Sequence, residues 1–405
     1  MSRMHPFAAA FGFLLLSTHA LAAGGTGAGA FSFQFNTSAR AAGMGETGIA
    51  TVWGGDTNVW ANPAMLAFRP GLRYGTMHSQ LAVGLANDIF IDKKELTFGI
   101  PGAGLLFADG PIDHVYLDMG EQTGTDEEGN PTGTFSSYMK SQSWGLAVGA
   151  ADLLHHLKIA DIGGWFDVAG GMVWKDYEDK LAADDIIQDE VGGGTASASA
   201  RDHGWVARVT PLNTLARAAD AGEAQLGFLV EASYARATLN DTDEWIVHVD
   251  ADQRDPMPIM NLSGWALHGE LQAGPRLFEN ASDLLLDTIL PLVAVTYTQQ
   301  TIVPGYRWTG TEYIYDRDDS GDFDEENWGW ELSLLNMLHL RRGHVEALYG
   351  DIDDDTEGWG ISLQAGRYAG FRYDKATVPQ AQGLPTVDRE GWQFWVDVLA
   401  VASKK

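Results

Sequence analysis

Asp316, Asp318, Ser320, Asp322 and Asp324 occupy positions 1, 3, 5, 7 and 9 of a twelve-residue run that ends at Asn327. Gly321 stands at position 6 and Phe323 at position 8. That spacing lets several oxygens converge on a hard cation while the glycine makes the sharp turn, so the run is a candidate Ca2+ loop. Asn327 replaces the bidentate glutamate of a tight site, which predicts weak binding; the alternative is a solvated acidic loop. Other spacings carry less. His155-His156 sits in a short helical turn, and His203, His248, His268, His339 and His344 are scattered without metal-ligand spacing. Gly43-Met44-Gly45-Glu46-Thr47-Gly48 is a formal G-x-G-x-x-G, yet no strand precedes it and no βαβ unit follows. With no G-x-S-x-G elbow and no cysteine, nothing argues for an enzyme, and no cofactor is expected beyond Ca2+ in that loop.

Charge sets the wider bounds. The 405 residues hold 26 Lys and Arg against 55 Asp and Glu, a net charge of −29, and the bases do not cluster. A phosphate backbone would repel such a chain, so nucleic-acid binding is excluded. Hydrophobic content of 45% excludes wholesale disorder. Residues 1–22 have the layout of a secretory signal: Arg3, an apolar stretch from Pro6 to Leu16, and Ala20-Leu21-Ala22 as a small-x-small cleavage site. Beyond them no apolar window is long enough for a spanning helix. An exported β protein remains, either soluble or a membrane barrel.

The hydrophobic period is two. Trp144, Leu146 and Val148 alternate with small residues; so do Trp265, Leu267, Gly269 and Leu271 with Ala266, His268, Glu270 and Gln272. Twelve to fifteen such stretches follow residue 71. Gly-Trp recurs six times, at Trp165, Trp205, Trp265, Trp330, Trp359 and Trp392, against roughly 1.7 from composition. A strand-end Trp that returns so often reads as a headgroup-level girdle. Carboxylates recur on the polar face, at Glu231, Glu270, Glu331, Glu346 and Asp397. A wet barrel lumen holds them, above all opposite arginines such as Arg236, Arg341 and Arg367, whereas a dry sandwich core does not. Turns are expected at Asp176–Asp184, Asp241–Asp243 and Asp351–Asp355, and longer polar stretches at Gly120–Ser137, Ala182–Asp202, Asp250–Met257 and Thr309–Asn327. Short and long connections would then alternate, as periplasmic turns and external loops do.

The segment before the first strand lacks this period. It holds Ala39-Arg40-Ala41-Ala42-Gly43-Met44-Gly45-Glu46-Thr47-Gly48-Ile49-Ala50 and, further on, Asn62-Pro63-Ala64. Pro63 fixes φ and lacks a donor, and Asn62 can close an Asx-type turn. This opening resembles the N-terminal plug of the long-chain fatty-acid outer-membrane transporter (FadL-type) superfamily, most of all its PorV/PorQ-type branch. Glu331 to Gly343 and Tyr373 to Gln380 look like that branch's late strands.

The resemblance implies an all-β fold: a transmembrane antiparallel barrel of about 14 strands with a small hatch in its lumen. The parts would be a signal peptide at 1–22, a hatch at 23–70 and an outer-membrane barrel with acidic external loops at 71–405. Arg40, Gly43, Gly45, Asn62, Pro63 and Ala64 would form the hatch motif, with Arg40 meeting a lumenal carboxylate. The implied function is passive uptake of hydrophobic, fatty-acid-like molecules through the outer membrane of a Gram-negative-type bacterium. Outer-membrane lipid, the barrel assembly machinery and the hydrophobic cargo would be the partners. One alternative is a PorV-type accessory barrel that serves a secreted protein. Another, from a different class, is a secreted β-sandwich that binds calcium or carbohydrate.

Overall fold

The computed structural model describes residues 29–55, 58–83, 88–109, 112, 114–125, 130–159, 165–180, 195–214, 226–247, 254–273, 290–308, 313–315, 324–347, 352–365, 368–380 and 384–397. The signal segment, Arg367 and the calcium-loop residues Asp316, Asp318, Ser320 and Asp322 lie outside these residues.

Alternation builds a wall. Its first strands are β1 (Gly71–Gln80), β2 (Ile89–Ile100), β3 (Ala103–Ala108), β4 (Val115–Thr125), β5 (Pro131–Gly149) and β6 (Phe166–Lys180). Next come β7 (Thr195–Asn213), β8 (Leu226–Asp241), a short hairpin of β9 (Trp245–Val247) and β10 (Arg254–Pro256), and β11 (Met260–Ala273). β12 (Leu290–Pro304) precedes a second hairpin, β13 (Tyr306–Trp308) and β14 (Tyr313–Tyr315). The wall ends with β15 (Glu325–Leu334), β16 (Leu338–Ala347), β17 (Ile352–Ala365), β18 (Ala369–Val378) and β19 (Val387–Val396). Every pairing is antiparallel, and β19 closes on β1, from Leu72 opposite Val396 to Ser79 opposite Arg389. β3 and β4 each pair with both β2 and β5, so they form one interrupted strand. The closed barrel therefore has fourteen strands and no free sheet edge.

The two faces differ as a spanning barrel requires. Leu105, Phe107, Leu146, Phe228, Val230, Leu267, Val295, Leu363 and Phe394 are exposed on the outside. A staircase of aromatics bounds this belt. Trp144 stacks on Trp174 at 3.9 Å, and Trp205–Tyr234, Trp265–Tyr297, Trp359–Tyr373 and Tyr74–Trp392 meet at 5.4–5.7 Å. All six Gly-Trp tryptophans are exposed, as a girdle requires if one ring edge is to meet hydrocarbon and the N–H headgroups.

Above the staircase the strands continue into polar sequence, and several expected turns are strand instead. Asp176 to Lys180 belong to β6 and Ile352 to Asp355 to β17. Residues 120–125 and 131–137 extend β4 and β5, and 195–202 begin β7. Outside the hydrocarbon a strand needs no apolar face, so its sequence looks like loop. The expected alternation of short and long connections also fails in part. At the proximal end, where the chain enters β1 and leaves β19, 101–102, 335–337 and 366–368 are tight. Residues 150–165, 214–225 and 274–289 at the same end are long, the first carrying a helix, α2 (Ala150–His156).

Candidate functional site

Residues 29–55 and 58–69 lie within the lumen, touching the wall on opposite sides. A short helix, α1 (Ala39–Ala42), is capped by Ser38, whose side chain accepts from the Ala41 N–H. A 3-10 turn, Pro63–Phe68, starts with proline in its first turn and is capped by the Asn62 side chain, which accepts from the Ala64 N–H. The same Asn62 amide donates to the Ile49 carbonyl at 3.1 Å and to the Trp205 carbonyl of the wall at 3.2 Å. Ser233 of β8 donates to the Ala50 carbonyl, and Ile49 N–H donates to Gln300 of β12.

Glycine makes this fit possible. A Cβ on Gly204 would lie 2.3 Å from Asn62 Oδ1, one on Gly264 2.7 Å from Ile49, and one on Gly329 2.3 Å from the Met44 carbonyl. Gly343 is tighter still, 2.0 Å from the Gly45 nitrogen. Met44-Gly45 is thus held between two wall strands whose inward positions carry no side chain. Gly45 itself has φ +69°, and its own Cβ would strike the Trp328 and His344 carbonyls. The Gly-Trp repeat therefore has two readers: membrane outside, lumenal segment inside. Sequence inspection finds the tryptophans and misses the glycines, because only a neighbour's backbone gives them meaning.

Charge completes the attachment on one flank. Arg40, 2% exposed, gives Nη2 to Glu331 Oε1 at 2.7 Å and Nε to Oε2 at 3.1 Å. Arg341 Nε reaches the same Oε2 at 2.7 Å, and Arg372 Nη2 lies 3.5 Å from it. Asp374 accepts from Arg372 Nε at 2.6 Å and contacts Arg341 Nη2 at 2.7 Å. Three guanidiniums thus share two carboxylates, and two of the guanidiniums also hold lumenal backbone: Arg40 donates to the Trp53 carbonyl and Arg372 to the Gly54 carbonyl. Elsewhere Arg69 pairs with Glu95 at 2.6 Å, and buried Lys175 pairs with Asp202 at 2.7 Å. The Lys175 ammonium also lies over Trp60, 3.9 Å from the ring centroid, and over Phe33.

The opposite flank is mostly apolar. Ile49, Val52, Trp53, Val59, Met65 and Leu66 pack against Leu106, Val173, Val206, Ala235 and Leu262 of the wall. Trp53 stacks on His268 at 4.9 Å and donates its indole N–H to Glu231, which also accepts from Thr210. Trp53→Phe keeps the stack and loses that donor. Leaving a buried acceptor without its donor costs about 1–3 kcal/mol, so the unfolding free energy from a urea titration is expected to fall by that amount.

Glu270 also faces inward, 3.2 Å from His268 and accepting from Gln272. Asp397 lies just past β19, half-buried, its N–H donating to the Tyr368 carbonyl. Glu346 does not line the lumen. The register of β16 is unbroken, so Arg341, Val345 and Ala347 take the inward positions and Glu346 points out, exposed, between Glu326 and Asp353. Arg236 is likewise outward, donating to the Tyr234 hydroxyl. Of the five candidate Ca2+ ligands only Asp324 is among the described residues, and among the described residues no group of three His, Asp or Glu is placed to hold a metal ion.

Above the lumenal segment, at the distal mouth, lies a cavity of about 70 Å³. Phe35, Trp60 and Glu46 form its floor, and Leu239, Met260, Leu262, Ile302, Val345, Ile352 and Val387 its apolar walls. One corner is polar. Arg389 Nη1 pairs with Glu46 Oε1 at 2.6 Å and donates to the Asn36 carbonyl, while Glu325 accepts from Asn327. Burial pushes the Glu46 carboxyl above the usual carboxylate range, and Arg389 pulls it part of the way back.

No family model matches the chain, and no curated protein does. Among solved structures it is similar to the toluene transporter TbuX of Ralstonia pickettii, at 11% identity and TM-score 0.36, covering 87% of this chain and 96% of that one. A FadL homologue of Pseudomonas aeruginosa gives 9% identity and TM-score 0.35 over 88% and 96%. The beta domain of the Bordetella autotransporter BrkA gives 12% identity and TM-score 0.32 over 80% and 99%. Likeness this distant assigns neither family nor cargo, and the chain stands on its own geometry: a closed fourteen-strand antiparallel barrel of membrane-spanning design.

Proposed function

We propose that this chain is an outer-membrane channel for hydrophobic small molecules, with residues 23–70 as a hatch. The observation that carries the reading is the apolar-walled cavity at the distal mouth, floored by the segment that fills the barrel. A hydrophobic molecule leaves water for that cavity, gaining roughly 25 cal/mol per Å² of apolar area buried. It then passes the hatch when the segment shifts, and it leaves at the proximal end or through the wall. Burial of apolar area draws the molecule in, its release at the far side costs that gain back, and the concentration gradient carries it across, so no energy-coupling element is needed. The toluene transporter similarity is in keeping with a cargo of that chemical kind.

The test is uptake. The full chain is expressed in the outer membrane of a strain that lacks its own hydrophobic-solute channels, and initial uptake of labelled toluene is measured. A several-fold rise is expected over cells making an unrelated barrel. If uptake matches that control while the protein is folded in the outer membrane, the channel reading fails.

A further inference from the structure

Arg236 is an exposed base with no acid beside it. Ala235 and Ala237 are buried against the lumenal segment, so strand alternation puts Arg236 on the outer face of β8. There it borders a groove of about 510 Å³ that crosses β7, β8 and β11, together with His203, Trp205, Thr238, Asn261 and Ser263. Gly171 and Gly204 border the groove too, and their lumenal sides are closed. A Cβ on Gly171 would lie 2.5 Å from the Pro63 carbonyl carbon, and one on Gly204 2.3 Å from Asn62 Oδ1. The open space is therefore outside the wall. We propose that this groove binds the phosphate group of a membrane lipid, with Arg236 as its principal ligand.

Height and charge favour that occupant. Arg236 is in register with Trp205 on one side and Ser263 on the other. Its Nε donates to the Tyr234 hydroxyl at 2.9 Å, and Tyr234 meets Trp205 at 5.7 Å. The guanidinium is thus drawn onto the aromatic staircase, the level of lipid headgroups, with its two Nη groups left for a bidentate anion. Outward bases elsewhere are already neutralised: Lys140 by Glu178, Arg342 by Asp355, and Lys375 by Asp388 and Glu390. Among the described residues no carboxylate pairs with Arg236, in a chain whose net charge is −29. Arg201 lies further along β7, opposite Asp241, which is 3.8 Å from His203 Nδ1. Arg201 and Arg236 therefore outnumber Asp241, whether or not His203 is protonated. A bulge shapes the distal rim, where Leu239 and Asn240 of β8 stand against Asp202 alone. Beside it Thr238 donates to Asn261 Oδ1 at 3.0 Å, and Ser263 adds a hydroxyl. A phosphate monoester offers charge to the guanidinium and further oxygens to such polar neighbours. The groove has the volume of an ordinary small-molecule site, room for a headgroup and the start of its chains.

The test uses two lipids with the same acyl chains, phosphatidic acid and phosphatidylcholine. Each is titrated into the detergent-purified full chain, and the first lipid bound is followed by native mass spectrometry. Both carry a phosphate, but choline cancels its charge, so phosphatidic acid is expected to bind about tenfold more tightly. Arg236→Gln is expected to remove that preference. Arg342→Gln takes away an arginine already paired with Asp355 and is expected to leave it intact. Ser263→Trp fills the groove without changing any charge, and should weaken phosphatidic acid about tenfold. That variant supplies the answer if Arg236→Gln does not fold. Equal binding of the two lipids overturns the proposal. An equal loss in Arg342→Gln does so as well, since it would mean attraction by diffuse charge. A preference that survives both Arg236→Gln and Ser263→Trp puts the lipid elsewhere and also overturns it. Displacement of phosphatidic acid by equimolar inorganic phosphate would make the groove a site for a free anion and overturn the lipid assignment.

Discussion

Gly343→Leu is expected to convert a sealed barrel into a leaking one. A Cβ at this position would lie 2.0 Å from the Gly45 nitrogen and 2.3 Å from the Met44 carbonyl carbon, so the clash is with backbone that has no rotamer to change. Overpacking a tight contact costs about 3 kcal/mol at the upper end of its usual range. At 1.4 kcal/mol per factor of ten, that cost multiplies the population with the lumenal segment displaced by roughly a hundredfold. The wall should survive, since Gly343 keeps its pairings with Gly329 and Thr356 whatever its side chain. The expected signature in planar bilayers is therefore frequent long openings from a protein that still shifts on heating in SDS gels. Arg342→Leu, one residue along on the outer face, is the control and should stay closed. Closed behaviour in Gly343→Leu would show that the lumenal segment does not seal the pore.

The second large effect is on stability. Glu331→Ala leaves Arg40, Arg341 and Arg372 around an empty site, with Asp374 as the remaining carboxylate of the cluster. Removing one partner of a buried ion pair costs about 3–5 kcal/mol, because the charge left behind is neither hydrated nor neutralised. The urea midpoint of the detergent-folded protein should fall accordingly, and added protease should cleave within 29–69 before the wall unfolds. Arg40→Met combined with Glu331→Met tests the cause. If the double variant is no more stable than Glu331→Ala, stranded charge is not the source of the loss.

Much of the barrel was legible because a spanning strand has little freedom. Hydrocarbon outside and water or plug inside impose a period of two that no loop imitates for long, and Trp265 through Leu271 shows it plainly. Where the strands leave the hydrocarbon the constraint lapses, which is why β6 beyond Asp176 and the start of β17 looked like turns. The inward carboxylates were legible as a class but not one by one. Glu331 and Glu346 are the same residue type on adjacent strands, and one step of parity sends the first to three arginines and the second to solvent. Partners separated by 291 residues, as Arg40 and Glu331 are, meet through closure of the barrel, and no local pattern announces them. Lys175, Glu46 and Arg389 were missed for the same reason.

The Gly-Trp pairs also bear on how the barrel assembles. A strand that joins its neighbour one residue out of step turns every side chain to the opposite face. At Gly264-Trp265 such a slip would drive an indole into the place of Ile49 and strip an anchor from the headgroup level; at Gly329-Trp330 the indole would meet Met44. Both errors arise from the same slip and are felt by different surroundings, one outside the wall and one by the lumenal segment. At these two pairs a strand one residue out of step therefore loses on both of its faces at once.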